Sequence, residues 1–122
     1  MLITPYQFDY PEILAFSRAM SNELRKQENI DKGHWTDLDL NEIMLEVWYH
    51  AAKLQKSVVA LQQVEKVRDA SSKDDLKKAL LEFAADVGNT AMMVADCAGA
   101  LHHTEADLDS AESVIEWTTV QY

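Results

Sequence analysis

Apolar residues recur at intervals of three and four along most of the chain, and this spacing predicts amphipathic α-helices. Three long segments carry it, with predicted bounds of 11–29, 39–68 and 72–99. A shorter segment with the same spacing runs over about 104–117. The second long segment is the clearest, with its apolar positions at Ile43, Val47, Ala51, Leu54, Val58 and Leu61. The pattern predicts an all-α fold.

Residues that favour helix ends delimit these segments. Pro11 suits the first turn of the first helix, and Asp39 with Glu42 has the spacing of a capping box at the start of the second. Ser72 with Asp75 offers a similar start for the third helix. Only a short break then separates the second and third helices, so we expect them to form an antiparallel hairpin.

Length, charge and cysteine content limit the class of protein. A chain of 122 residues predicts a single domain over 1–122, with an N-terminal arm at 1–10 and a C-terminal extension at 104–122. The formal net charge of −10 argues against binding to a nucleic-acid backbone. No segment approaches the roughly 18 apolar residues that a membrane span needs, and the single Cys97 suits a reducing compartment. We therefore expect a cytoplasmic protein that binds neither nucleic acid nor membrane.

Polar side chains form one stripe on each helix of the predicted hairpin. At about 100° per residue, the stripe of the third helix contains Glu82, Asp86, Asn89, Met93 and Asp96. The stripe of the second helix contains Glu46, His50, Lys53 and Ser57. Such stripes are either solvated outer faces or the two walls of a polar site. Carboxylates on facing helices are typical of sites that hold divalent cations.

Two stretches, FSRAMSNELRKQENIDKGHWTDLDLNEIMLEV and FAADVGNTAMMVADCAG, resemble the MazG-like all-α nucleoside triphosphate pyrophosphohydrolases. The resemblance covers about residues 14–101. It implies a MazG-like helical bundle with an antiparallel long-helix hairpin, assembly as a homodimer or a tetramer, and Mg²⁺-dependent cleavage of nucleoside triphosphates to monophosphate and pyrophosphate. It also makes Lys32 a candidate phosphate contact and Trp35 a candidate stacking partner for a base. The alternatives are an exposed loop lysine and an aromatic anchor for the loop.

The resemblance breaks at the metal-binding positions. The family's glutamates would fall at His50 and Lys53 and the acid of the next motif at Phe83, so only Asp86 matches. We therefore expect a degenerate site with no catalytic residue, no metal and no cofactor. The resulting prediction is a non-catalytic nucleotide-binding or protein-interaction module. Contacts from Glu46, Glu82, Asn89 and Asp96 remain candidates in such a module.

Asp86 would be costly to ionise among apolar side chains without a cation. We expect Lys53 to supply that charge, with its ammonium within about 4 Å of Asp86. His50 is expected to add a hydrogen bond to Asp86 or Glu82. The alternative is an active metal-dependent pyrophosphohydrolase with a rebuilt ligand set of Asp86, Glu82, His50 and Glu46. Imidazole with carboxylates suits a transition metal better than the Mg²⁺ of the family.

Apolar residues lie on nearly every face of the third helix over 83–98. This is more apolar surface than one further helix can cover. We therefore expect a two-fold homodimer whose apolar interface is drawn from the hairpin helices. Trp48 and Tyr49 are interpreted as core or dimer packing residues. The sequence leaves open whether a nucleotide or a protein is the further partner.

Overall fold

The computed structural model describes residues 10–67 and 70–102. Its four α-helices are α1 (Pro11–Leu24), α2 (Gln27–Ile30), α3 (Leu40–Val67) and α4 (Ala70–Cys97). Short 3₁₀ turns occupy Trp35–Asp37 and Ala100–His102. The described residues contain no strand, and none of their helices has the length and apolar character to cross a membrane. The all-α prediction is confirmed.

Two predicted helix boundaries differ from the structure. The first helix, predicted to reach residue 29, ends at Leu24, and the chain resumes as the short helix α2. The side-chain amide of Asn29 donates a 2.6 Å hydrogen bond to the carbonyl of Glu23. This bond satisfies one of the carbonyls that a helix end leaves without a partner. The third helix, predicted to begin at residue 72, begins at Ala70.

Helices α3 and α4 form the hairpin that the sequence predicts, and α1 packs on α4. His50 in the first half of α3 lies beside Asp86 in the second half of α4, as an antiparallel pair requires. Helix α1 approaches α4 closely at Gly88. A Cβ atom there would lie 3.1 Å from Phe16 Cε1 and 3.2 Å from Met20 Sδ. A larger residue at position 88 would therefore require Phe16 and Met20 to shift.

The core of the described part is thin. Only Ile43 and Ala85 are fully buried apolar residues there. Large apolar side chains of α3 are instead exposed, including Trp48 and Tyr49, so the interpretation of these two as core residues is wrong. None of the large apolar residues over 83–98 is exposed, because α1 and α3 cover that part of α4. The predicted excess of apolar surface at 83–98 is therefore wrong, and the exposed apolar surface belongs mainly to α3.

The predicted C-terminal extension, with its short helix, lies outside the described residues. So does the predicted N-terminal arm except for Tyr10, which precedes α1. The polar groups of interest all lie within the described helices, the break between α1 and α2, and the loop that joins α2 to α3.

Candidate functional site

The polar stripes of α3 and α4 meet at His50 and Asp86. Nδ1 of His50 lies 3.8 Å from Oδ2 of Asp86, and its Nε2 lies 3.5 Å from Oε2 of Glu46. The His50 and Asp86 side chains are only 17% and 22% exposed. These residues therefore form a partly buried polar site between the two helices.

The C-terminal end of α1 adds a carboxyl group that the sequence analysis missed. Glu23 is 9% exposed, and its carboxyl group lies close enough to Asp86 to affect the pKa of that residue. Lys26, in the break between α1 and α2, places its Nζ 2.7 Å from Oε1 of Glu23 and also pairs with Glu82. We define the carboxylate cluster as Glu23, Lys26, Glu82 and Asp86, with Glu46 and His50 at its α3 edge.

A signal for Glu23 was present in the sequence. Phe16, Met20 and Glu23 are separated by four and three residues, which places the glutamate on the apolar face of α1. An acidic residue on such a face must find a partner when the face is buried. The position of Lys26 had no comparable signal, because it depends on the break after Leu24.

Burial raises the pKa of both buried carboxyl groups. For Asp86 the upward shift is opposed by hydrogen bonding to Glu23 and increased by the charge of Glu82. For Glu23 burial is opposed by the hydrogen bond to Lys26 and supported by the charge of Asp86. Two poorly hydrated carboxyl groups in contact retain a proton more readily than either group alone. Each of the two groups is therefore protonated more readily than a fully hydrated carboxyl group.

His50 is held in its neutral form. Burial lowers the pKa of its imidazole, and the charges of Lys53 and Lys32 lower it further, while Glu46 acts in the opposite direction. The buried Nδ1 atom has no hydrogen-bond partner among the described residues. At 3.8 Å, Asp86 is too distant to supply one. The predicted hydrogen bond from His50 to Asp86 or Glu82 is therefore wrong.

Lys53 does not lie where the sequence analysis placed it. Its ammonium lies over the ring of Tyr49, 4.3 Å from the centroid, and 6.0 Å from the centroid of Phe83. Lys53 and Tyr49 are one helical turn apart, so a cation–π contact forms without any change in the backbone. The predicted ion pair with Asp86 is absent from the ion pairs of the described residues, and Lys26 supplies the local positive charge instead.

Trp35 anchors its loop to the end of α4. The indole Nε1 donates a 2.8 Å hydrogen bond to Oδ2 of Asp96, and the Cys97 thiol contacts the Trp35 carbonyl at 3.4 Å. The ring also stacks on His34, with centroids 4.2 Å apart. These contacts fit the interpretation of Trp35 as an aromatic anchor for the loop, and not the interpretation as a stacking partner for a base. Asp96 is occupied by the same bond and lies outside the carboxylate cluster.

Asn89 ties α4 to α1. Its amide Nδ2 donates a 2.9 Å hydrogen bond to the carbonyl of Met20, and the residue is 4% exposed. Its Oδ1 atom has no hydrogen-bond partner in the described part of the chain. Lys32 approaches the site only electrostatically, through its effect on His50. The contact of Asn89 therefore has a structural explanation, because it joins α4 to α1. Lys32 affects the site through its charge alone.

A metal ion at the carboxylate cluster would compete with a protein ammonium. Within residues 10–67 and 70–102, no three His, Cys, Asp or Glu side chains are grouped so as to hold a metal ion. The candidate ligands Asp86, Glu82 and His50 are thus not brought together as a ligand set. The ammonium of Lys26 lies between the carboxylates of Glu23 and Glu82. A divalent cation would have to displace this fixed positive charge.

An open cleft borders the cluster between α1 and α4. Its volume is about 210 Å³, with Asn22, Lys26, Leu81 and Glu82 among its lining residues. Small-molecule sites usually enclose about 300–1,000 Å³. The cleft is therefore small for a nucleoside triphosphate.

No protein-family model, curated protein or solved structure matches this chain. The MazG-like resemblance consequently stays a prediction that is based on the residues quoted above.

Proposed function

We propose that this chain is a non-catalytic, homodimeric protein-interaction module on a MazG-like helical scaffold. The bridge from Lys26 to Glu23 and Glu82 carries this proposal. In the enzymes that the sequence resembles, carboxylates on two helices hold Mg²⁺. Here the ammonium of Lys26 pairs with the carboxylates of Glu23 and Glu82. His50, Lys53 and Phe83 stand where three metal-binding acids are expected.

The net charge of the chain favours a protein partner over a nucleotide. The formal net charge is −10, and an acidic protein repels phosphate groups. The adjoining cleft is also small for a nucleotide. The Trp35 indole is engaged by Asp96, which supports a role in loop anchoring over base stacking.

The exposed apolar side chains of α3 support a role in protein contact and self-association. Trp48 is 67% exposed and Leu45 is 69% exposed. Soluble monomers rarely leave large contiguous apolar patches in water. A cytoplasmic location is part of the proposal and is supported by the single Cys97, which suits a reducing compartment.

A pyrophosphate-release assay tests the non-catalytic part of the proposal. With Mg²⁺ or Mn²⁺ and the common ribo- and deoxyribonucleoside triphosphates, we expect release no faster than without the protein. A thermal melt should show no shift with nucleotide, because a ligand stabilises only the state that binds it. Metal-dependent release that is lost in Asp86→Ala would contradict the proposal. A melting shift with nucleotide, without any pyrophosphate release, would indicate that the partner is a nucleotide and not a protein.

The second candidate function is a metal-dependent nucleoside triphosphate pyrophosphohydrolase with an unusual ligand set. The pairing of two carboxylates, those of Glu23 and Glu82, with one cationic group favours it. The variant Lys26→Gln separates the two functions. If Lys26 replaces the cation, Mg²⁺ should raise the melting temperature of Lys26→Gln and leave the wild type unchanged. A comparable shift in the wild type would favour the enzyme.

A further inference from the structure

The outward face of α3 carries a heptad pattern. Positions separated alternately by four and three residues form what we call the outer stripe, namely Asn41, Leu45, Trp48, Ala52, Gln55, Val59 and Gln62. Leu45, Trp48 and Val59 are 69%, 67% and 46% exposed. Ile43, His50 and Ser57, which lie on the opposite side of the helix, face the rest of the protein. Its four apolar members, Leu45, Trp48, Ala52 and Val59, have the heptad spacing of a helix that packs along a second helix, and Asn41, Gln55 and Gln62 are its polar members.

Further exposed apolar side chains flank this stripe. Tyr49 lies on one side of it, with Met44 and Val58 on the other, and all three are at least partly exposed. Exposed apolar side chains grouped on one face often mark a protein contact site.

We propose that the outer stripe packs against the outer stripe of a second copy of this chain, with the two α3 helices antiparallel. This inference rests on the homodimer proposed above and assigns its surface and geometry. The two-fold axis would pass near residue 50. In that register Trp48 lies opposite the partner's Ala52, so the largest side chain of the stripe meets its smallest.

The surface of α3 already contains a hole of the required kind. A depression on this helix is lined by Ala52, Gln55, Lys56 and Val59, together with two neighbouring residues. These four positions, i, i+3, i+4 and i+7, enclose the hole that receives one side chain in knobs-into-holes packing. In the antiparallel register the partner's Leu45 lies opposite this hole. The exposed Leu45 therefore has a matching cavity on the same surface.

Charges beside the stripe select a second antiparallel copy. Glu42 and Lys56 flank the same side of the stripe, are both exposed, and lie two heptads apart. Neither makes an ion pair within the described part of the chain. In the antiparallel register Glu42 faces the partner's Lys56 twice, once at each end of the interface. In a parallel pair Glu42 and Lys56 would not face each other, because residues on this flank of one helix then face the opposite flank of the other.

A charge exchange tests this geometry. The variants Glu42→Lys and Lys56→Glu each replace two attractive pairs with two repulsive ones, so each homodimer should dissociate about tenfold more readily. Mixed together, the two single variants should form a heterodimer in preference to either homodimer, because both attractive pairs are restored. The double variant should recover the wild-type dissociation constant. Multi-angle light scattering gives the masses, and native mass spectrometry identifies the heterodimer.

Controls separate this inference from the proposed function. Lys77→Glu makes the same charge change on α4 and should leave dimerisation unchanged, and Trp48→Glu should produce a monomer with its helical circular dichroism retained. A wild-type dimer that is indifferent to the exchange and to Trp48→Glu would overturn the α3 interface but leave the homodimer in place. A wild-type monomer at micromolar concentration would overturn both. The pyrophosphate-release assay tests the non-catalytic part of the proposed function independently of either result.

Discussion

Replacing Lys26 with methionine removes the ammonium that joins Glu23 to Glu82 and keeps an unbranched side chain of similar length. Glu23 then loses the charged partner that opposes the effect of burial on its pKa. Asp86 loses a nearby positive charge at the same time. The expected result is a less stable protein at neutral pH, because buried carboxylates without partners are costly.

The size of the loss follows from the exposure of each pair. The Glu23 side chain is 11% exposed, whereas the Lys26 and Glu82 side chains are 37% and 46% exposed. A hydrogen bond to a charged group contributes about 1.5–3 kcal/mol when it is well buried, and an exposed ion pair contributes about 0.2–1 kcal/mol. Because solvent screens the half-exposed Lys26 ammonium, we expect a total loss of stability of about 2 kcal/mol. For a chain of this size, that loss lowers the melting temperature by roughly 5–10 °C.

The loss should depend on pH in a defined direction. The folded-state pKa values of Glu23 and Asp86 are raised by burial from the usual 4.5 and 3.8. A raised folded pKa contributes stability that is complete below the unfolded pKa and is lost as the pH rises through the folded pKa. Without Lys26 the pKa of Glu23 rises further. The difference between variant and wild type should therefore be smaller near pH 5 than near pH 7.5.

Urea unfolding followed by circular dichroism at both pH values measures these free energies. The matched control is Lys78→Met, because Lys78 pairs with Asp74 at 3.2 Å with both side chains mostly exposed. Its loss should stay below about 0.5 kcal/mol. Adding Glu23→Gln to Lys26→Met should recover part of the loss. Equal losses in the two lysine variants, or a larger loss for Lys26→Met at the lower pH, would refute the reasoning.

Three further predictions concern the loop, the helix contact and the histidine. Trp35→Phe should cost about 1–2 kcal/mol in urea unfolding because it removes the 2.8 Å bond to Asp96, and a neutral result would mean that the loop is not anchored there. Gly88→Leu should cost about 1–3 kcal/mol because its side chain meets Phe16, and a stabilised variant would argue against the close helix contact. NMR titration should place the pKa of His50 below 6.5, so its contribution to stability is lost as the pH falls through the folded pKa. A value above 6.5 would contradict its burial.

Local interactions let the sequence determine most of the secondary structure. The apolar spacing of α3 and the residues Asp39 and Glu42 predicted a helix over 39–68, and the structure has Leu40–Val67. Such patterns depend on neighbours within one or two turns, so a sequence contains them. The short break before α4 likewise predicted the antiparallel hairpin. The same periodicity predicted the polar stripes of α3 and α4. A site between the two stripes was one of two alternatives, the other being solvated outer faces.

Tertiary structure alone decided which side chains the polar residues contact. Asp86 acquires Glu23 and Lys26 because α1 ends at Leu24 and its C-terminal end meets α4. Lys53, whose long side chain can reach several partners, lies on the ring of Tyr49 instead. Trp35 bonds to Asp96, 61 residues away in the sequence. Periodicity places a residue on a face of its own helix, but the partner across that face depends on the crossing of distant helices and on competition among flexible charged side chains.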